Sequence, residues 1–448
     1  MAADGNSGGQ ISLDLARHIL SFADAPLGAD VRTAAKHCIL DWFAVTLAGL
    51  TEPAAQFVRE DVIGRSLGRA SIVGTAETCA AADAALANGT ASHALDYDDV
   101  HITMLGHPTV AVFSAALAVA EEEGSTGEQL LRAFIAGYDA AVFVGTLAMP
   151  SHYERGFHST ATIGSFGAAA ACGLLLGLDA QQMAMALGLA GTQAAGLKSM
   201  FGTMAKPLHA GKAASNGVLA ARLAKRGFTA NPGVLEVPQG FIATQSDNPV
   251  PPLYAFPERG ACVLDTLFKY HAACYLTHST IEAVETLCRS NALTAADIAA
   301  VAVHVPAGHL KVCNILEPDT GLGIKFSLRH TAAFAAAGVD TARIESYSDA
   351  AANDPALVAL RSKVAIHDDY PAGTGAKVEI RTGAGTGFTT EIDVGVPERD
   401  LDRQGRRLTA KFHSLTEPVI GSARGERLHQ RVETLDRAND LRALTRLD

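Results

Sequence analysis

Runs of Ala and Gly set at helical spacing constrain this chain more than any other feature. Gly164, Gly167 and the stretch Ala168 to Ala171 form one such run, and Ala210, Gly211, Ala213, Ala214 and Gly217 form another. Apolar residues recur three and four apart over most of residues 11 to about 260, as in Leu15, Ile19 and Phe22, or Val31, Ala35, Cys38, Trp42 and Val45. Helices faced with residues this small can approach closely, so a tight helical bundle is expected. Thr126 with Gln129, and Asp179 with Gln182, read as capping boxes, and Asp30 reads as a cap for the second helix.

After about Gly260 the texture changes. A helix is expected over 275–289 and a strand over 298–305. Helical segments around 327–337 and 355–364 follow, then a hairpin signature in which Val378 and Ile380 alternate with polar neighbours and, after a Gly-rich turn at 383–387, Phe388, Thr390, Ile392 and Val394 extend the pattern. The reading is a mainly α protein with a smaller α+β domain. It divides into a short disordered tail at 1–10, a helical domain at 11–262, an α+β domain at 263–400 and a C-terminal helical segment at 401–448 that packs back on the first domain. The seven scattered cysteines contain no C-x-x-C, which argues against a disulfide framework or a structural zinc site and fits a reducing, cytoplasmic setting. The N-terminus lacks the pattern of a secretory signal. Apolar runs such as 168–178 fall short of a membrane span. A net charge of −11 without a basic stripe makes nucleic acid an improbable partner.

Against only 19% charged residues, several polar clusters stand out at the starts of expected helices. They are Asp96-Tyr97-Asp98-Asp99-Val100-His101 with Gly106-His107-Pro108, Phe157-His158-Ser159-Thr160, Lys206-Pro207-Leu208-His209, and Lys269-Tyr270-His271 with Cys274 and His278. His107 before Pro108 sits at or next to an N-cap, where free backbone N–H groups favour an anion. Lys206 is electrostatically the wrong residue for a helix N-terminus, which suggests that it has a ligand. His209, three residues on, shares its face. The carboxylates and imidazoles around Asp96 resemble a hard-cation cluster, but the lysines in the other clusters would repel a cation at the same centre, so a metal-free site is preferred. The clusters together suit a small, carboxylate-rich molecule.

In their order and wording these blocks resemble the MmgE/PrpD family, which includes 2-methylcitrate dehydratase, cis-aconitate decarboxylase and iminodisuccinate epimerase. The resemblance runs from about residue 11 to 400. It implies a helical domain with an α+β lid, a site in the cleft between them, homodimers, and no metal or organic cofactor. Its site residues fall on Asp96, His107, His158, Lys206 and Lys269 as catalytic groups, with His209, Cys274 and His278 beside Lys206 and Lys269 in substrate binding. Two departures stand out. Cys274 replaces a histidine of the animal decarboxylases, and His330 follows Ser327 by three where many members have tyrosine.

The shared chemistry is the making or protonation of a carbanion beside a carboxylate. Lysines stabilise the developing charge, and imidazoles move protons near neutral pH. The roles expected are Lys206 and Lys269 as cations, His107 and His158 as acid and base in either order, and Asp96 orienting one imidazole. Because the decarboxylase-type histidine is missing, a 2-methylcitrate dehydratase-like hydro-lyase ranks first. Decarboxylation of a cis-aconitate type and epimerisation of a dicarboxylate such as iminodisuccinate are the alternatives. A catalytically inactive small-acid binding protein and a metal-dependent hydrolase are the rivals from other classes.

Overall fold

The structure is a computed structural model, and residues 10–445 are described. The described residues form two compact units, one running to Phe268 and resuming at Glu398, the other Lys269–Pro397. Of the expected tail, 1–9 lie outside the described residues.

Up to Phe268, the described residues of the first unit form nine helices of ten or more residues: α1 (Ile11–Leu20), α2 (Ala29–Gly49), α3 (Pro53–Val62), α4 (Ala81–His93), α5 (Pro108–Glu123), α6 (Gly127–Ala148), α7 (Ser159–Leu175), α8 (Ala180–Gln193) and α9 (Ala205–Lys225). Its core is α7, packed against α5, α6 and α9, with α4 laid across α9. The small residues explain the closeness. A Cβ on Gly89 of α4 would lie 2.8 Å from the Cα of Gly211 on α9, and one on Gly164 of α7 would lie 2.9 Å from the Cβ of Ala111 on α5. Both capping boxes form, at Thr126 with Gln129 and at Asp179 with Gln182. Asp30 is not a cap: Gly28 holds that position, and Asp30 falls in the first turn of α2, where its charge suits the helix dipole.

Two expectations for this unit need correction. It is not purely helical, because β1 (Ala70–Ser71) and β2 (Thr78–Cys79) pair antiparallel. Also, α6 is long and apolar enough by length and composition to cross a membrane, although the sequence runs looked too short. Within this fold, 89% of its apolar window is buried.

In the second unit, α10 (His278–Ser290) and α11 (Leu328–Ala337) pack on a four-stranded sheet, with α12 (Pro355–Arg361) against α11. The strands are β3 (Ile298–His304), β4 (Val364–His367), β5 (Ala376–Thr382) and β6 (Gly387–Ile392), in the order β4-β3-β5-β6. β3 pairs β4 in parallel and β5 antiparallel, and β5–β6 is the expected hairpin. A parallel pair needs a long crossover, which the helical segment between β3 and β4 supplies. The alternating residues Ala376, Val378 and Ile380 of β5 are buried against Ile281, Val284, Leu328 and Ala332. The segment expected to be helical to Val364 stops at Arg361, because Val364 begins β4.

The chain then returns to the first unit through α13 (Leu401–Ile420) and α14 (Ser422–Glu433). α13 packs on α2, and a buried ion pair anchors it, with Lys411 Nζ 2.6 Å from Asp41 Oδ1.

Candidate active site

Three helix N-termini and one C-terminus meet in the first unit. His107 is the N-cap of α5, His158 the N-cap of α7, Lys206 lies in the first turn of α9, and His93 is the last residue of α4. A tight reversal brings the first two together: His101 N–H donates to the Gly106 carbonyl at 2.9 Å, and Leu105 takes a left-handed φ of 45°. Gly106 then runs so close to α7 that a Cβ would lie 3.0 Å from Ser159 Oγ and from the Thr160 nitrogen, so no side chain fits there without movement. The His107 N–H donates to Thr160 Oγ1 at 3.1 Å, and Ser159 Oγ donates to the Leu105 carbonyl. Backbone donors at three helix starts make this a favourable region for an anion.

The three aspartates of one short run meet three different fates. Asp96, in the left-handed region at φ 51°, is half exposed and ion-paired, with Oδ2 2.7 Å from Lys206 Nζ. Aspartate tolerates that conformation better than most residues. Asp98 is buried between two imidazoles: His107 Nδ1 is 2.9 Å from Oδ2, and His93 Nδ1 is 2.9 Å from Oδ1. Burial works to raise its pKa, but His107 and then His93 outweigh burial and hold the carboxyl well below the usual range, so it is ionised. Asp99 is buried and accepts from Thr109 Oγ1. Burial, with Asp41 and Asp98 nearby, pushes its pKa well above the usual range.

The imidazoles divide in the same way. His93 is fully buried, and burial pulls it down to about 4 against the opposing pull of Asp98. His158 is lowered further, by burial and then by His93, Lys206, His107 and His209. Its Nδ1 lies 3.0 Å from His209 Nδ1 in a hydrogen bond where one nitrogen must donate and the other accept, so at least one of the two rings is neutral. Burial and Lys206 lower His209 as well. Phe201 lies edge-on to His158 at 5.0 Å, with Lys206 Nζ 5.4 Å from its ring centre. His107 differs from the other imidazoles in facing an ionised carboxylate with one nitrogen while Nε2 lies 3.7 Å from Asp96 Oδ1, on the more open side.

Asp96, His107, His158, Lys206 and His209 are thus brought together. Asp98 is the carboxylate nearer to His107, at 2.9 Å against 3.7 Å for Asp96, which pairs more closely with Lys206. From sequence, Asp98 and His93 stand out only as members of the possible hard-cation cluster with Asp96, Asp99 and His101; which acid of the run is buried against His107 is not revealed by spacing. His93, Asp96, Asp98 and His107 offer ligand atoms within 4.8 Å of one another and could hold a metal ion. The ammonium 2.7 Å from Asp96 would oppose a cation there.

The remaining predicted residues lie in the second unit. Lys269 is buried. His271 is held between Thr341 Oγ1 at 2.7 Å and Glu282 Oε1 at 3.3 Å, and its ring meets that of His278 at 4.9 Å. His278 is buried and its Nε2 donates to the Ala273 carbonyl at 3.2 Å, so this ring is engaged in holding the loop that carries Cys274. Burial, with His271 and Lys269, lowers its pKa strongly. Cys274 is half-buried, its N–H donating to the Lys325 carbonyl at 3.0 Å. His330 is buried in α11, its N–H capped by Ser327 Oγ.

The MmgE/PrpD N-terminal domain matches residues 13–253 and the MmgE/PrpD C-terminal domain matches 271–437. A cis-aconitate decarboxylase of Aspergillus terreus (strain NIH 2624 / FGSC A1156) is 27% identical over 481 aligned positions, covering 100% of this chain and 97% of that protein. Another from Aspergillus terreus is 31% identical, over 64% of this chain and 62% of its own length. The Homo sapiens cis-aconitate decarboxylase is 34% identical over 36% of this chain and 34% of its own. The chain belongs to the MmgE/PrpD family.

Proposed function

We propose that this chain is a lyase acting on a small polycarboxylate through a carbanion next to a carboxylate, and that decarboxylation of a cis-aconitate-type substrate is its reaction. The observation that carries this reading is the Asp98–His107 pair set beside Lys206 at the convergence of helix N-termini. Decarboxylation needs cations to hold the electron pair left when the C–C bond to CO2 breaks, and one acid to protonate the carbon. Lys206 and the helix N-termini supply the first, delocalising charge into the neighbouring carboxylate as an enediolate. His107 supplies the second from Nε2, with Asp98 fixing the other ring proton on Nδ1 and stabilising the imidazolium before transfer.

His158, held neutral in its pair with His209, hydrogen-bonds substrate without adding charge. Burial, with His93 and Lys206 nearby, makes His158 a poor base, which leaves His107 as the proton-transfer group. The full-length similarity to a fungal cis-aconitate decarboxylase is what ranks decarboxylation before dehydration in this proposal. Lys269 and Cys274 enter as substrate-binding groups on the family resemblance. None of these steps calls on a metal.

Dehydration of a 2-methylcitrate-type hydroxy acid is the second reading, favoured by Cys274, which stands where animal decarboxylases have histidine. Incubation with cis-aconitate, 2-methylcitrate, citrate and iminodisuccinate, followed by NMR, separates them. Loss of a carboxyl carbon from cis-aconitate supports the proposal. A new alkene from a hydroxy acid, with cis-aconitate untouched, replaces it with dehydration.

A further inference from the structure

Outside the site described above, the hairpin of α13 and α14 gathers a second set of metal-ligating side chains. His413 on α13 faces Glu426 and His429 on α14, and one ligand atom from each lies within 4.8 Å of the others. His413 Nε2 is 3.6 Å from Glu426 Oε2. Two ligands on one tetrahedral ion with bonds of about 2.0–2.1 Å stand roughly 3.4 Å apart, so this edge is nearly formed.

The surroundings resemble an outer ligand shell. Gln430 Nε2 donates to Glu426 Oε1 at 2.7 Å, turning Oε2 toward His413. His429 Nε2 lies 3.4 Å from Thr409 Oγ1 and 3.7 Å from Glu433 Oε1. Buried Phe412 backs both imidazoles, with ring centres 5.4 Å from His413 and 5.9 Å from His429. An apolar floor, two imidazoles and an oriented carboxylate make a site with one face open to water.

We propose that His413, Glu426 and His429 bind a first-row divalent transition ion of the zinc type and so clamp α13 to α14. Two nitrogens and one carboxylate oxygen favour such an ion over Ca2+ or Mg2+, which take all-oxygen shells. The clamp would reinforce the hairpin whose first helix packs on α2. This inference is independent of the reaction proposed above.

The test titrates the purified, metal-stripped full chain with Co2+ and follows the visible absorption of the bound ion, in the wild type and in H413Q, H429Q, E426Q and H107Q. Retained far-UV circular dichroism confirms that each variant is folded. The expected result is saturation by one equivalent in the wild type and in H107Q. In H413Q and H429Q affinity should fall by about 100-fold or more, and in E426Q by at least about 10-fold. No Co2+ band in the wild type, an undiminished band in both histidine variants, or a band lost only in H107Q overturns the proposal.

Discussion

Asp98, rather than Asp96, lies against the ring of His107, its Oδ2 2.9 Å from Nδ1. Asp96, two residues earlier, turns outward through a left-handed φ of 51° to reach Lys206. In the proposed mechanism the buried acid orients an imidazole and the exposed acid holds the lysine that meets substrate. Asp98→Asn keeps the side-chain shape and removes the charge, so it should lower kcat by about 10²-fold or more while leaving KM within a few-fold. Steady-state kinetics check this, and a loss confined to KM would remove Asp98 from the proton-transfer step.

Lys206→Ala should lower kcat/KM by at least about 10²-fold, because the lysine stabilises charge that develops in the transition state. Asp96→Asn should cost less, since it leaves the ammonium in place. A Lys206→Ala activity within a few-fold of wild type would take that role from it.

The His158–His209 pair predicts a graded response. His209→Asn retains a hydrogen-bonding partner for His158 Nδ1, whereas His209→Leu leaves that nitrogen buried without one, at a penalty of about 1–3 kcal/mol. Turnover should therefore fall further in the leucine variant, and Tm should fall with it.

Acid should destabilise the fold well above the carboxylate range. Burial holds His93 and His101 near 4, below the 6.5 of an unfolded chain. The unfolded state therefore binds protons that the native state refuses. The contribution is fully present above pH 6.5 and is lost as pH falls toward 4, by up to about 3 kcal/mol for each group. Urea unfolding at pH 7.5, 6, 5 and 4.5 checks the slope, which should soften in His101→Phe.

Helix packing supplies another expectation. Gly89→Ala places a methyl 2.8 Å from Gly211 Cα, so α4 and α9 must separate, at about 1–3 kcal/mol. Urea unfolding of the variant measures it directly.

Much of this was legible in the sequence because it is written in local patterns. Ala/Gly spacing marked the close-packed helices, the capping boxes of α6 and α8 formed where Thr126 and Asp179 signalled them, and the β5–β6 hairpin followed its alternation. The strand pair β1–β2 leaves no trace in the sequence, because two residues per strand carry no periodicity. The apolar pattern continues past the end of α12, because Val364 fits an apolar helix face as well as a strand. In the site, His107, His158 and Lys206 were marked by their place at helix starts. The choice among Asp96, Asp98 and Asp99 was not legible, because it depends on one left-handed residue and on burial by helices far along the chain.

In the proposed reaction His107, held by Asp98, protonates a carbanion formed beside a carboxylate. Incubation of wild type, Asp98→Asn and His107→Gln with cis-aconitate in D2O, followed by NMR, reads that proton transfer. The expected result is loss of one carboxyl group with one deuterium entering the new C–H bond in the wild type, and a rate lower by about 10²-fold or more in both variants. Decarboxylation at wild-type rate in His107→Gln, or no turnover of cis-aconitate by the wild type, would overturn the proposed role of His107.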